Sequence, residues 1–233
     1  KERGVVNAVS FPPSIVDVRP WKWAGFQASV DYSFYMELPY DDEAADKRVR
    51  TKVRKAAKLG YRCERTSQMS DVMECLEDTA ERQEFDYRLG VEDLEMCQRL
   101  LGPDVLRAYV CYAPNGDAAS ARLALTYPGT SALGWVSGTK RDHLQDGCAQ
   151  LLMSFGLEDL HSAGACGFDW AGANIPSVAA AKSAWGGKLV PFCRIYQPNA
   201  WPLALYMRDF WRFYFCSGKI GRASCRERVL YTV

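Results

Sequence analysis

The chain has 233 residues, 48% apolar and 24% charged, with a formal net charge of +1. That much apolar side chain fills a core and excludes a disordered tail, while the near-neutral balance names no partner. No apolar run approaches the ~20 residues a membrane span needs, and Lys1-Glu2-Arg3-Gly4 leads into mixed sequence rather than a signal peptide.

Residues 5–18 are β-branched and interrupted by Pro12-Pro13, which predicts a short strand and an extended connection. Val30–Leu38 reads as a strand closed by Pro39. An acidic turn at Asp41-Asp42 precedes a basic helix that complements its own dipole and stops at Gly60. A strand follows at 61–65. A helix over 70–85 takes Ser70 as its N-cap, and another spans 91–101.

The middle reads as a β-meander: strands 106–113, 118–127 and 131–137, with Pro114-Asn115-Gly116-Asp117 as a hairpin turn. After a loop at 138–146, Cys148–Ser162 has helical periodicity, and Phe168-Asp169-Trp170 is a short buried strand. Pro176 opens a helix that Gly186-Gly187 ends, 189–196 is a strand, and 201–215 is an aromatic-rich final helix. The order predicts an α+β fold, a mixed, mostly antiparallel sheet flanked by helices. Ligands in such sheets bind at strand C-terminal ends and helix N-termini, here loops 138–147 and 170–176.

Nine cysteines stand at irregular spacing without a C-x-x-C pair, and only His143 and His161 accompany them. No zinc site of ordinary spacing is predicted. The odd count points to reduced thiols and a cytoplasmic location. There is no Ser-His-Asp set, Walker loop or metal motif. The segment Lys219-Ile220-Gly221-Arg222-Ala223-Ser224-Cys225-Arg226-Glu227-Arg228-Val229 resembles a translated sequencing adapter, so 219–233 is read as a foreign tail. With no initiator Met, the natural N-terminus is expected upstream.

Four stretches carry a family resemblance. Arg50-Thr51-Lys52-Val53-Arg54-Lys55-Ala56-Ala57-Lys58-Leu59-Gly60 is a basic helix ending in glycine. Thr79-Ala80-Glu81-Arg82-Gln83 has the form T-x-x-R-Q. Phe168-Asp169-Trp170-Ala171-Gly172-Ala173-Asn174 and Lys182-Ser183-Ala184-Trp185-Gly186-Gly187 follow in order. Together they resemble the GNAT superfamily, and more narrowly the FemAB and BioF2-like acyltransferases, over roughly residues 10–200. Phe11-Pro12-Pro13 and Trp23-Ala24-Gly25-Phe26 resemble the segment before this domain in two-domain members. The resemblance implies a remnant of a preceding GNAT-like domain at 1–40 and a BioF2-like acyltransferase domain at 41–218.

It also implies an N-acyltransferase that uses acyl-CoA, or aminoacyl-tRNA, as donor and a small-molecule or cell-envelope amine as acceptor, with no metal. Attack would be direct, in a ternary complex. Lys182 matches a lysine implicated in stabilising developing negative charge; a solvated helix lysine is the other reading. Ala181 stands where that family often carries an aromatic that stacks on a tRNA terminal base. Asp169 is either a catalytic base or an acceptor for the Gly172–Asn174 turn. The donor loop would supply Arg141, Gln145, Gly147 and Ala149, either as a phosphate site or as a plain helix-capping loop, with Asp146 set to repel an anion. Arg82, Asn174 and Trp170 are substrate-side candidates; an ion pair explains Arg82 equally well, and core packing Trp170. Two alternatives remain: an aminoacyl-tRNA-dependent peptidoglycan-bridge ligase, and a non-catalytic domain whose basic helix 47–58 binds an anionic polymer.

Overall fold

The computed structural model describes residues 8–84 and 89–197. In chain order the elements are β1 (Ala8–Ser10), α1 (Arg19–Trp23), β2 (Gln27–Glu37), α2 (Lys47–Lys58), β3 (Arg62–Thr66), α3 (Met69–Arg82) and α4 (Val91–Leu101). They continue with β4 (Leu106–Tyr112), β5 (Ala118–Leu125), β6 (Ser131–Thr139), α5 (Cys148–Ser162), β7 (Gly167–Asp169), α6 (Pro176–Ser183) and β8 (Lys188–Tyr196). The expected final helix at 201–215 and the tail at 219–233 lie outside the described residues.

The chain divides into two compact units, Phe34–Leu189 and Lys1–Ser33 with Val190–Val233. In the smaller unit β1 pairs antiparallel with β8, Ala8 opposite Tyr196. Phe11 and Trp21 rings meet there at 4.6 Å. The short helix α1 was not expected; Pro20 sits in its first turn, where a missing N–H costs nothing.

In the larger unit the sheet runs from the end of β2 through β7, β6, β5 and β4 to β3. Every pair is antiparallel except β6 with β7. Both faces are covered, so β4 is buried along nearly its whole length, and its apolar run is broken only by Arg107. Leu106, Ala108 and Val110 pack on one face with Met69, Val72, Leu76 and Leu94 from α3 and α4. Tyr109 and Cys111 pack on the other with Leu152, Met153, Leu157 and Leu160 from α5 and Val49 and Ala56 from α2. Each fully buried leucine or valine contributes about 1.5–3 kcal/mol, and the two layers fix the sheet between helices.

Local signals explain most boundaries. The hairpin turn closes at Gly116, whose φ is +94°. Helix α5 starts after Gly147 and stops before Gly164, both with positive φ. Ser70 is not the cap of α3: the helix starts at Met69 after Gln68, and the Ser70 hydroxyl bonds Asp71 Oδ1 at 3.2 Å.

Candidate active site

The parallel pair sets the geometry. Ser131, Ala132 and Leu133 of β6 face Gly167, Phe168 and Asp169 of β7, and there the pairing ends. Strand β6 runs on to Thr139, about 20 Å further at ordinary strand rise, held on its other side by β5 as far as Ser120 opposite Thr139. Beyond Leu133 no strand continues the β7 side among the described residues. The two strands point the same way, and the loop after β7 leaves level with Leu133, six residues before the end of β6.

The loop after β7 is drawn in around a lysine. Lys182 Nζ donates to the carbonyls of Trp170 at 2.8 Å, Ala171 at 3.3 Å and Gly172. Ala171 has φ +56°, a left-handed conformation costing about 1–3 kcal/mol for a residue with a Cβ. It is held there from both sides: Asp169 Oδ1 accepts its N–H at 2.8 Å, and Lys182 takes its carbonyl. Helix α6 begins at Pro176 and sets Lys182 in its last turn. Its end is fixed where Asp46 N–H donates to Ala184 O (2.8 Å) and Tyr40 O–H to Trp185 O (2.7 Å). Asn174 is exposed in the same loop. Asp169, Trp170, Asn174 and Lys182 thus form one neighbourhood.

The loop after β6 carries the other predicted residues and is tied to two helices. On the α3 side, Thr79 Oγ1 accepts from Thr139 N at 2.9 Å, and Arg82 Nη1 donates to Thr139 O at 2.9 Å and to Asp78 Oδ1 at 3.1 Å. Asp78 Oδ1 also accepts from Arg141 N at 2.9 Å. Arg82 therefore makes the ion pair and also anchors the loop bearing Arg141, whose side chain is exposed. On the α2 side, Lys55 Nζ donates to Gln145 O at 2.9 Å and Asp146 Oδ1 at 3.1 Å, and Tyr61 O–H donates to Asp146 Oδ2 at 2.8 Å. The Tyr61 bond and then the Lys55 bond hold the Asp146 carboxyl below the usual carboxylate range. The negative charge expected to repel an anion is thus paired with a cation. Gly147, φ +85°, has no room for a Cβ, which would lie 2.3 Å from Lys52 O. Its glycine serves close packing against α2 at the start of α5. Ala149 lies in the first turn of α5, which contains no acidic residue and whose leading amides have no intrahelical acceptor.

One functional-looking residue escaped the sequence reading. Arg122, on β5, faces Tyr109 on one side and Ser137 on the other. Its Cζ lies 5.4 Å from the Trp170 ring centroid. A Cβ on Gly134 would lie 3.5 Å from Arg122 Nη1 and clash with Phe168 at 2.8 Å, so this glycine makes room for both. The signal was present in Ala118–Leu125, where one cation interrupts small apolar residues.

Among the described residues no group of three or more His, Cys, Asp or Glu is placed to hold a metal ion. None of their helices is long and apolar enough to cross a membrane. No protein-family model matches the chain, and no curated protein sequence does. Its fold is similar to the crystal structure of FemX, with TM-score 0.65 and 14% identity over 82% of this chain and 70% of that one. It is also similar to the C-terminal domain (DUF2156) of a proposed lysylphosphatidylglycerol synthetase from Agrobacterium fabrum: TM-score 0.62, 13% identity, 84% and 69% covered. A GCN5-related N-acetyltransferase from Kribbella flavida matches at TM-score 0.50 and 9% identity over 77% and 63%. The mixed sheet, with its one parallel pair in the larger unit, and these likenesses together give the chain a GNAT-type, FemAB-like fold.

Proposed function

We propose that the chain is an N-acyltransferase domain that moves an acyl or aminoacyl group to an amine by direct attack in a ternary complex. The observation that carries this reading is the end of the parallel β6–β7 pairing at Leu133 and Asp169, with the Lys182 ammonium just past the end of β7. We place a thioester or ester carbonyl there, beside that fixed positive charge. The amine nitrogen forms the new C–N bond, the C–S or C–O bond to the donor breaks, and the amine proton goes to a base, for which Asp169 is our assignment. Lys182 is our assignment for the positive charge. The longest of its three carbonyl contacts in this loop, 3.3 Å to Ala171 O, is the one we assign to exchange for a developing oxyanion. A preorganised ammonium at that position is worth several kcal/mol when water is excluded.

The donor is placed along loop 139–149, with Arg141, Gln145, Gly147 and Ala149 at the start of α5. Lys55 of α2 contacts that loop, and the same helix carries the exposed cations Lys47, Arg48, Arg54 and Lys58. This favours a donor rich in phosphate. An aminoacyl-tRNA donor with a cell-envelope amine acceptor is the second reading, supported by the same cations and by the FemAB-like fold. We read residues 1–40 as the remnant of a preceding GNAT-like domain.

Mass spectrometry of the full-length protein with amines and either acyl-CoA or charged tRNA separates the two donors. No transfer from either would overturn the enzymatic reading. Lys182→Ala is expected to lower kcat at least about tenfold, and unchanged turnover would remove its role. Asp169→Asn is expected to lower kcat at neutral pH while leaving donor affinity in place.

A further inference from the structure

Strand β5 reads Ala-Ala-Ser-Ala-Arg-Leu-Ala-Leu, a sequence of small and apolar side chains broken by Arg122. Strand register puts that side chain on the face lined by Tyr109, Ala124 and Phe168. Burial alone acts on the guanidinium and pulls its pKa down to about 10; no carboxylate offsets it. Among the described residues it has no hydrogen-bond or ion-pair partner, only the Trp170 ring at 5.4 Å. Solvent still reaches the residue, so it is recessed rather than sealed. Trp170 itself is 7% exposed, and its Nε1–H is buried without an acceptor. A native fold seldom leaves one such donor unsatisfied. Among the described residues neither this guanidinium nor this indole N–H has an acceptor, and the Arg122 Cζ lies 5.4 Å from the centroid of the same ring.

We propose that Arg122 and the Trp170 indole N–H form a binding site for the carboxylate of a small ligand. The planar fork matches a carboxylate bidentately. A carboxylate's one negative charge matches the one positive charge of the guanidinium. The Trp170 ring, 5.4 Å from the guanidinium carbon, offers it a cation–π contact. The site stands on these side chains and not on the transferase reading. If both hold, Trp170 joins them, since its carbonyl also accepts from Lys182.

The test is a titration of the ¹⁵N-labelled full chain with sodium benzoate, sodium acetate and sodium phosphate, with sodium chloride as control. The Trp170 indole N–H signal is identified by its loss in Trp170→Phe. Benzoate and acetate are expected to move it saturably downfield. Arg122→Leu should abolish the response, and Arg122→Lys should weaken it about tenfold, because the fork is lost while the charge stays. No saturable shift, an unchanged response in Arg122→Leu, or equal affinity in Arg122→Lys would overturn the site. The Lys variant decides if the Leu variant does not fold. Tighter binding of phosphate than of either carboxylate would overturn the carboxylate assignment. A chain that binds benzoate but transfers no acyl group retains this site and loses the enzymatic reading.

Discussion

Arg107 and Arg122 lie on the same face of neighbouring strands, and the fold treats them oppositely. Arg107, 7% exposed, donates to Asp159 Oδ2 at 2.6 Å and approaches Asp104 at 3.5 Å, while Tyr109 O–H shares the same Asp159 oxygen. Burial works against the Arg107 charge, but the Asp159 bond and charge outweigh it and its pKa is raised. Arg122 has burial and no carboxylate, and its pKa falls. The first arginine belongs to a closed structural network. The second carries a cost that no described residue offsets, the pattern expected where a partner comes from outside.

The contrast can be broken from either side. The largest effect is expected from Asp159→Ala, which takes from the buried Arg107 its short ion pair and leaves it the 3.5 Å contact with the exposed Asp104. A loss of about 3 kcal/mol is expected, read as a lower urea midpoint; a loss below about 1 kcal/mol would mean the Arg107 network holds little. Next is Arg122→Leu, expected to raise stability by about 1–3 kcal/mol near neutral pH while removing carboxylate binding. Its pH dependence follows from the sign of the shift. The folded pKa of Arg122 is depressed to about 10 from 12.5, so the charged form is the disfavoured one. The cost is complete below about pH 10 and is relieved as pH climbs toward 12.5, where the unfolded chain holds more protons. The advantage of the Leu variant should therefore shrink across that window in paired denaturation curves. The smallest effect is expected from Ser137→Asp, which sets a carboxylate opposite Arg122 on the same sheet face. It should change stability by under about 1 kcal/mol yet block added benzoate.

Much of the frame was legible from residue order. The Pro114–Asp117 turn, the bounds of α5 and the meander follow from turn chemistry and periodicity that act locally. Ser70 was misplaced because capping competence says which residues can cap, not where the helix starts. The short helix α1 carries too few residues for a periodic signal. At the site, Lys182 was marked by its motif. Its grip on three carbonyls was not, because it depends on Ala171 entering a left-handed conformation that its residue type disfavours. Arg122 was visible as an oddity in β5. Its lack of a partner is a property of register and of the facing helix, and neither is written in a local pattern.

The loop that follows β6 is fastened to α3 by Thr79, Arg82 and Asp78 and to α2 by Lys55, with Gly147 seated on the Lys52 carbonyl. Those two helices cover opposite faces of the sheet. A molecule that stiffened this splice would slow amide exchange in both layers at once, so a single local event would register as a change in breathing on either side of the strands.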